Sequence, residues 1–183
     1  STPLYSSAAS DVYKRQRLDV EYKQLPRHLV QAIVAVEDKR FFEHTGVDYL
    51  GILRALWHDL RAGEAVQGGS TITQQLVKNI LTGSERTLRR KVREAFLALA
   101  LERRLSKEEI FTRYVNVIYL GRRGGLSVYG VGAAAREYFN KDVSQLTLPE
   151  SAFLAGIIHR PGYYITNTPR PDVVERGLRR RNL

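Results

Sequence analysis

Apolar residues recur at helical spacing through most of the chain. Leu29, Ile33 and Val36 follow Pro26, which sits where a first helical turn tolerates proline, and they predict a helix running to Glu37. Leu50, Leu53, Leu56, Trp57 and Leu60 share one face of an amphipathic segment between Asp48 and Arg61. Such a face is ordinarily core, although its tryptophan, with Arg54 and Arg61 nearby, also suits a shallow membrane contact. Gly63 to Gly69 predicts a loop, and a helix resumes at Thr71 behind Ser70 as its cap. A long helix then starts near Arg86, with Leu88, Val92, Ala95, Phe96 and Leu99 facing inward. Ser106 and Glu109 form a capping box opening another helix, whose buried side carries Ile110, Tyr114, Val117 and Ile118. The glycine-rich stretch Gly121 to Gly130 predicts a loop, followed by a small-residue helix through Ala133, Ala134 and Ala135 to Phe139. Thr147 and Glu150 cap a further helix through Ala155, and Pro161 and Pro169 break the chain before a basic helix with Arg176, Arg179, Arg180 and Arg181. The expectation is a mainly α protein without repeats.

Composition narrows the picture. The 183 residues suffice for one domain with its own core. Ser1 to Gln16 is polar, small and without period, and is set aside as a non-native scar ahead of a single domain over 17–183. No cysteine is present, so disulfides and thiolate chemistry are excluded. A formal charge of +10 points to a polyanionic partner: nucleic acid, an anionic membrane surface or a phosphorylated substrate. No apolar run approaches the length of a spanning helix.

The densest chemistry lies at Glu37 to Gly46, which reads Glu-Asp-Lys-Arg-Phe-Phe-Glu-His-Thr-Gly directly behind the apolar run Ala32 to Val36. A carboxylate at the end of a buried helix with Lys39 and Arg40 beside it suits proton abstraction near a negatively charged substrate, and Glu37 is the candidate base. Asp38 projects about 100° away around a helix and is read as orienting the loop by hydrogen bonds. The plainer reading of this stretch is a solvated helix terminus stopped by Gly46. A second stretch, Gly68-Gly69-Ser70-Thr71-Ile72-Thr73-Gln74-Gln75-Leu76, puts a helix N-terminus behind two glycines, a ready anion site, with Lys78 close behind. A third, Arg90-Lys91-Val92-Arg93-Glu94, places two cations and a carboxylate on one helical face, which in isolation is more often a surface ladder. Gly130, Gly132 and Ala135 match a dinucleotide fingerprint, but no clear strand precedes them and a nucleotide is rejected there. His28, His58 and His159 are scattered, and His44 alone is drawn toward function, by its motif.

Taken together and in this order, these motifs resemble the peptidoglycan glycosyltransferase domain of glycosyltransferase family 51, found in class A penicillin-binding proteins and in monofunctional transglycosylases. The likeness covers about Leu25 to Leu183. It implies a lysozyme-like helical lobe with a smaller membrane-facing jaw at about 47–67. It implies Glu37 as catalytic base and Glu94 as the second acidic residue. Substrate contacts would fall to Ser70, Thr71, Gln74, Gln75, Lys78, Arg86, Arg90, Lys91 and Asn116, the last within a fourth motif from Lys107 to Asn116. Asp38, Phe41, His44 and Gly46 would support the site. The implied substrates are lipid II and a lipid-linked glycan chain, joined with inversion and release of undecaprenyl pyrophosphate, with Mg or Mn near Glu94 left open. The implied setting is the outer face of the bacterial cytoplasmic membrane, with a transpeptidase domain in the full-length protein and no nucleic-acid partner. Gly132 and Ala133 depart from the family, where an acidic or amide side chain is frequent, as does His159-Arg160-Pro161. Two other classes compete: a lysozyme-like glycan hydrolase, which has no use for clustered cations at a leaving group, and a basic nucleic-acid-binding protein, which leaves the glutamates unexplained.

Overall fold

The computed structural model describes residues 18–51, 70–81, 87–123 and 125–159. The segment bearing Trp57, the Gly63 to Gly69 loop, Arg86, the first sixteen residues and the terminal basic stretch lie outside the described residues, as does most of the expected jaw. The helices are α1 (Arg27–Glu37), α2 (Ile72–Leu81), α3 (Leu88–Glu102), α4 (Lys107–Val117), α5 (Val131–Phe139) and α6 (Leu148–His159), with strands β1 (Tyr119–Arg123) and β2 (Leu126–Tyr129) between α4 and α5. The mainly helical expectation therefore holds. The chain divides into a contiguous unit, Val34–Tyr114, and a discontinuous one assembled from Ser1–Ile33 and Val115–Leu183.

In the contiguous unit Phe41, Ile72, Leu76, Val77, Ala98, Ile110, Phe111 and Tyr114 are fully buried or nearly so. Helix α2 packs against α3, and polar side chains fasten them to α4: Thr73 Oγ1 donates to Glu102 Oε1 at 2.6 Å, and Lys107 Nζ reaches the same oxygen at 2.7 Å. That ammonium also lies 4.6 Å from the centroid of the Phe41 ring.

The direction of α3 differs from the expectation. Leu88, Val92 and Phe96 point outward, 87%, 71% and 72% exposed, while the buried positions are Glu94 and Ala98. The i, i+4, i+8 spacing correctly found one face of the helix. The opposite face is the covered one, and Glu94 is buried there against Arg90 and the half-exposed Lys91. Val36 at the end of α1 is also exposed, as is Ala35, so the apolar run before Glu37 does not enclose that carboxylate as a whole.

The discontinuous unit contains the second correction. Gly121 to Gly130 is no plain loop: β1 and β2 pair antiparallel with a register irregularity between Tyr119 and Arg122, and the Tyr119 and Tyr129 rings lie 5.4 Å apart. A strand thus does precede Gly130. It belongs to a hairpin, however, and not to the parallel βαβ unit in which such glycines approach a pyrophosphate. Helix α5 ends at Asn140 in the left-handed region (φ 53°), with Asn140 and Lys141 N–H groups closing onto Arg136 and Ala135 carbonyls. The Ser106 and Glu109 capping box opens α4 as expected, and at the start of α6 the Glu150 carboxylate accepts from both the N–H and the hydroxyl of Thr147.

The start of the described chain is held by two close fits. Asn116 accepts from Val20 N–H at 3.0 Å and donates to Val20 C=O at 2.9 Å. At Gly132 a Cβ would fall 2.3 Å from the Leu18 carbonyl oxygen, so no larger residue fits and the acidic or amide side chain frequent in the family has no room. Gly132→Ala is expected to cost about 1–3 kcal/mol of stability by overpacking, whereas Val92→Ser or Phe96→Ser should stay within about 0.5 kcal/mol of the parent. Urea unfolding separates the two outcomes, and a large loss at Val92 would show that its face is packed.

Candidate active site

The site is built inside the contiguous unit, and its framework is the Asp38 carboxylate. After α1 ends, Asp38 is buried and its Oδ2 accepts the Ile72 N–H at the start of α2 (3.0 Å). A carboxylate there satisfies an orphan helix donor and meets the positive end of the helix dipole. The same carboxylate receives His44 Nε2 at 2.9 and 3.1 Å. His44 Nδ1 in turn accepts from Gly46 N–H (3.2 Å), which places the ring proton on Nε2. Gly46 C=O accepts from Thr71 Oγ1 (2.6 Å), which returns the network to the residue preceding α2.

Each remaining member of the motif has a physical reason. Phe41 is fully buried, its ring 5.9 Å from that of Phe111 and 6.3 Å from His44. Gly46 has φ +96°, and a Cβ there would lie 3.0 Å from the Ala98 carbonyl carbon and oxygen on α3. The cap of α2 lies one residue later than expected: Thr71 Oγ1 accepts from Gln74 N–H and Gln74 Oε1 from Thr71 N–H, both at 3.1 Å, a reciprocal capping box. Ser70 is left to other work. Arg40 does not reach toward Glu37 in any bond described; it binds Glu43 at 2.9 Å and Asp48 at 3.1 Å.

Two functional groups are mounted on this frame. The half-buried Glu37 carboxylate accepts from Gln75 Nε2 at 2.9 Å. Gln75 Oε1 accepts from the Tyr114 hydroxyl (3.1 Å), and Gln75 Nε2 also lies 3.5 Å from Ser70 C=O. Burial, reinforced by the negative charges of Glu37 and Asp38, holds the Tyr114 hydroxyl well above its ordinary titration range. The second group lies on α3, whose N-terminus is capped by Thr87 accepting from Arg90 N–H. Glu94, 2% exposed, accepts from Arg90 Nη1 at 2.7 Å and lies 3.7 Å from Lys91 Nζ. Lys91 Nζ also hydrogen-bonds Ser70 Oγ. Arg90 Nε is buried with no hydrogen-bond partner among the described residues. Ser70 therefore touches Gln75 through its carbonyl and Lys91 through its hydroxyl, linking carboxylate and cations.

Of the residues singled out from sequence, Glu37, Asp38, Phe41, His44, Gly46, Ser70, Thr71, Gln74, Gln75, Arg90, Lys91 and Glu94 join this one network. Lys78 lies exposed on α2. Asn116 spends both polar atoms of its amide on Val20 in the discontinuous unit. Tyr114 was missed as a site residue: its helical spacing marked it only as core, and the signal available was its place inside the Lys107 to Asn116 stretch. Mg and Mn take several oxygen ligands; the contacts described at the Glu94 carboxylate are two cations, and no group of three acidic or histidine side chains that could hold a metal ion is found among the described residues.

A carboxylate that can take a proton, tied through one serine to a half-exposed Lys91 and a mostly buried Arg90, suits transfer to a hydroxyl from an anionic leaving group. Comparison with known proteins agrees with that class. The family model described as Transglycosylase matches residues 5–183, and the chain belongs to the transglycosylase family of enzymes. It is 48% identical over 170 residues to penicillin-binding protein 1A of Escherichia coli K12, covering 93% of this chain and 19% of that protein. The corresponding figures for penicillin-binding protein 1A of Vibrio cholerae are 44% over 171 residues, 93% and 20%. For penicillin-binding protein 1F of Bacillus subtilis they are 43% over 155 residues, 85% and 21%. The chain thus spans about a fifth of the length of these curated relatives.

Asp38→Asn keeps the shape of the framework, and its amide oxygen at the Oδ2 position can still meet both Ile72 N–H and His44 Nε2–H, but the charge is lost and an NH2 group stands where Oδ1 lies 3.1 Å from His44 Nε2. Two donors then face each other in a buried place, and a loss of about 1–3 kcal/mol is expected. Chemical denaturation checks this, and an unchanged midpoint would show that Asp38 is not the framework.

Proposed function

We propose that the chain is a peptidoglycan glycosyltransferase that polymerises lipid II on the outer face of the bacterial cytoplasmic membrane. The observation that carries the reading is the Ser70 link, which ties the Glu37 and Gln75 pair to the cations Lys91 and Arg90 that Glu94 holds. In this reading Glu37 takes the proton of a sugar hydroxyl on the acceptor lipid II. The hydroxyl oxygen forms a bond to the anomeric carbon of the lipid-linked glycan donor from the face opposite the pyrophosphate, and the bond to the pyrophosphate oxygen breaks, which gives inversion. The electron pair leaves on undecaprenyl pyrophosphate. A pyrophosphate leaves without protonation if its charge is met, and the buried Arg90 Nε–H, with no hydrogen-bond partner among the described residues, supports a phosphate oxygen as its acceptor.

Glu94 then holds the two cations in place for the leaving group, with 2% of its own surface exposed. The strongly basic composition suits an anionic lipid headgroup and membrane surface. No described helix is long and apolar enough to cross a membrane. A transpeptidase domain elsewhere in the full-length protein is the partner suggested by the penicillin-binding names of the relatives.

Glu37→Gln keeps the shape and the contact to Gln75 but removes the base, and general-base loss costs about 10² to 10⁴ in rate. The expected protein is folded, binds lipid II and hardly polymerises it. Gel analysis of glycan product decides the matter; wild-type polymer yield from this variant would overturn the mechanism.

A further inference from the structure

We infer that Tyr114 is a positioning residue for Glu37, acting through the Gln75 amide, whose orientation its buried hydroxyl fixes. The inference rests on the reading of Glu37 as the base. A primary amide can present either its oxygen or its NH2 group to a neighbour, and the two differ by a half-turn about one bond. An ionised carboxylate only accepts, so Gln75 is useful to Glu37 only with the NH2 group turned toward it. Tyr114 enforces this from the other end. Its side chain is 0% exposed, so its hydroxyl must find its partner within the protein, and the described partner is Gln75 Oε1.

The phenol is also held in its protonated form by burial and by the charges of Glu37 and Asp38, so it arrives at that oxygen as a donor. The bonds therefore run one way, from phenol O–H to amide oxygen and from amide N–H to carboxylate, and each link polarises the next. The second amide N–H is directed at the Ser70 carbonyl, at the long limit of a hydrogen bond. Rotation of the amide would thus break contacts at both ends.

The consequence falls on Glu37. It is the last residue of α1, on a side chain with several rotatable bonds, beside exposed Ala35 and Val36. Ordering such a side chain costs conformational entropy, which the hydrogen bond from Gln75 helps to offset. Gln75 supplies a fixed donor, and Tyr114, from α4, makes that donor fixed. The phenol itself touches no reacting atom in this scheme, so its loss should alter turnover and spare substrate binding.

Tyr114→Phe in the full chain keeps the ring and removes only the hydroxyl. With lipid II as substrate, kcat is expected to fall about 10-fold while KM stays within about twofold. Gln75→Leu breaks the same link at its centre, and the double variant should be no worse than Gln75→Leu alone. Thermal melts on every variant give the folded fraction by which rates are corrected, and if Tyr114→Phe does not fold, Gln75→Leu carries the test through the same kcat-against-KM comparison. A wild-type kcat in Tyr114→Phe, a raised KM with kcat unchanged, or fully additive losses in the double variant would overturn the positioning role. Glu37→Gln measured in parallel separates the two ideas: if it is inactive and Tyr114→Phe is normal, only the positioning role falls; if it polymerises normally, the base assignment falls first.

Discussion

The geometry of the site depends on one carboxylate placed ahead of a helix that lies more than thirty residues further along the chain. Asp38 accepts the first described N–H of α2, at a sequence separation of 34, and takes the His44 proton with the same group. A helix N-terminus left uncapped in a buried setting would be costly, and a buried carboxylate without donors more so. Each removes the penalty of the other. Everything mounted on α2, Gln75 above all, inherits its position from that bond, and Glu37 stands one residue before it. The adjacent carboxylates thus divide their tasks: one is used up in holding the frame, and its neighbour is presented to Gln75.

The Lys91, Arg90 and Glu94 group obeys the same logic with the signs reversed. Burying Glu94 alone would be prohibitive, and burying it under two cations is tolerable only where hydrogen bonds are well formed, as at 2.7 Å from Arg90. Such a group adds little to stability compared with apolar packing. Its value lies in holding the Arg90 charge in a mostly buried place, where solvent screens it less.

How far the sequence could be read follows from the range of each interaction. Glu37, Asp38, His44 and Gly46 were legible because their chemistry is packed into ten residues, and capping boxes were legible because they are local. The direction of α3 was not. Periodicity marks a face without saying what lies against it, and here Leu88, Val92 and Phe96 are outward because the polar residues opposite are the covered ones. The β1 and β2 hairpin was hidden by its glycines, which read as loop while the pairing that makes a strand comes from across the turn. The choice of Thr71 over Ser70 as cap depended on Lys91 and Gly46, neither of which is near in sequence. Tyr114 looked like core, and it is core; only the hydroxyl at its tip distinguishes it.

The clasp between Val20 and Asn116 bears on how the chain acquires its structure in time. Its two halves are separated by 96 residues, whereas every contact described for the site falls within the unbroken span Val34–Tyr114. Closing so long a loop before other contacts exist is entropically unfavourable. Synthesis from the N-terminal side therefore releases the whole of the Val34–Tyr114 span before Val20 can meet Asn116, and a segment made ahead of that span is among the last to find its place.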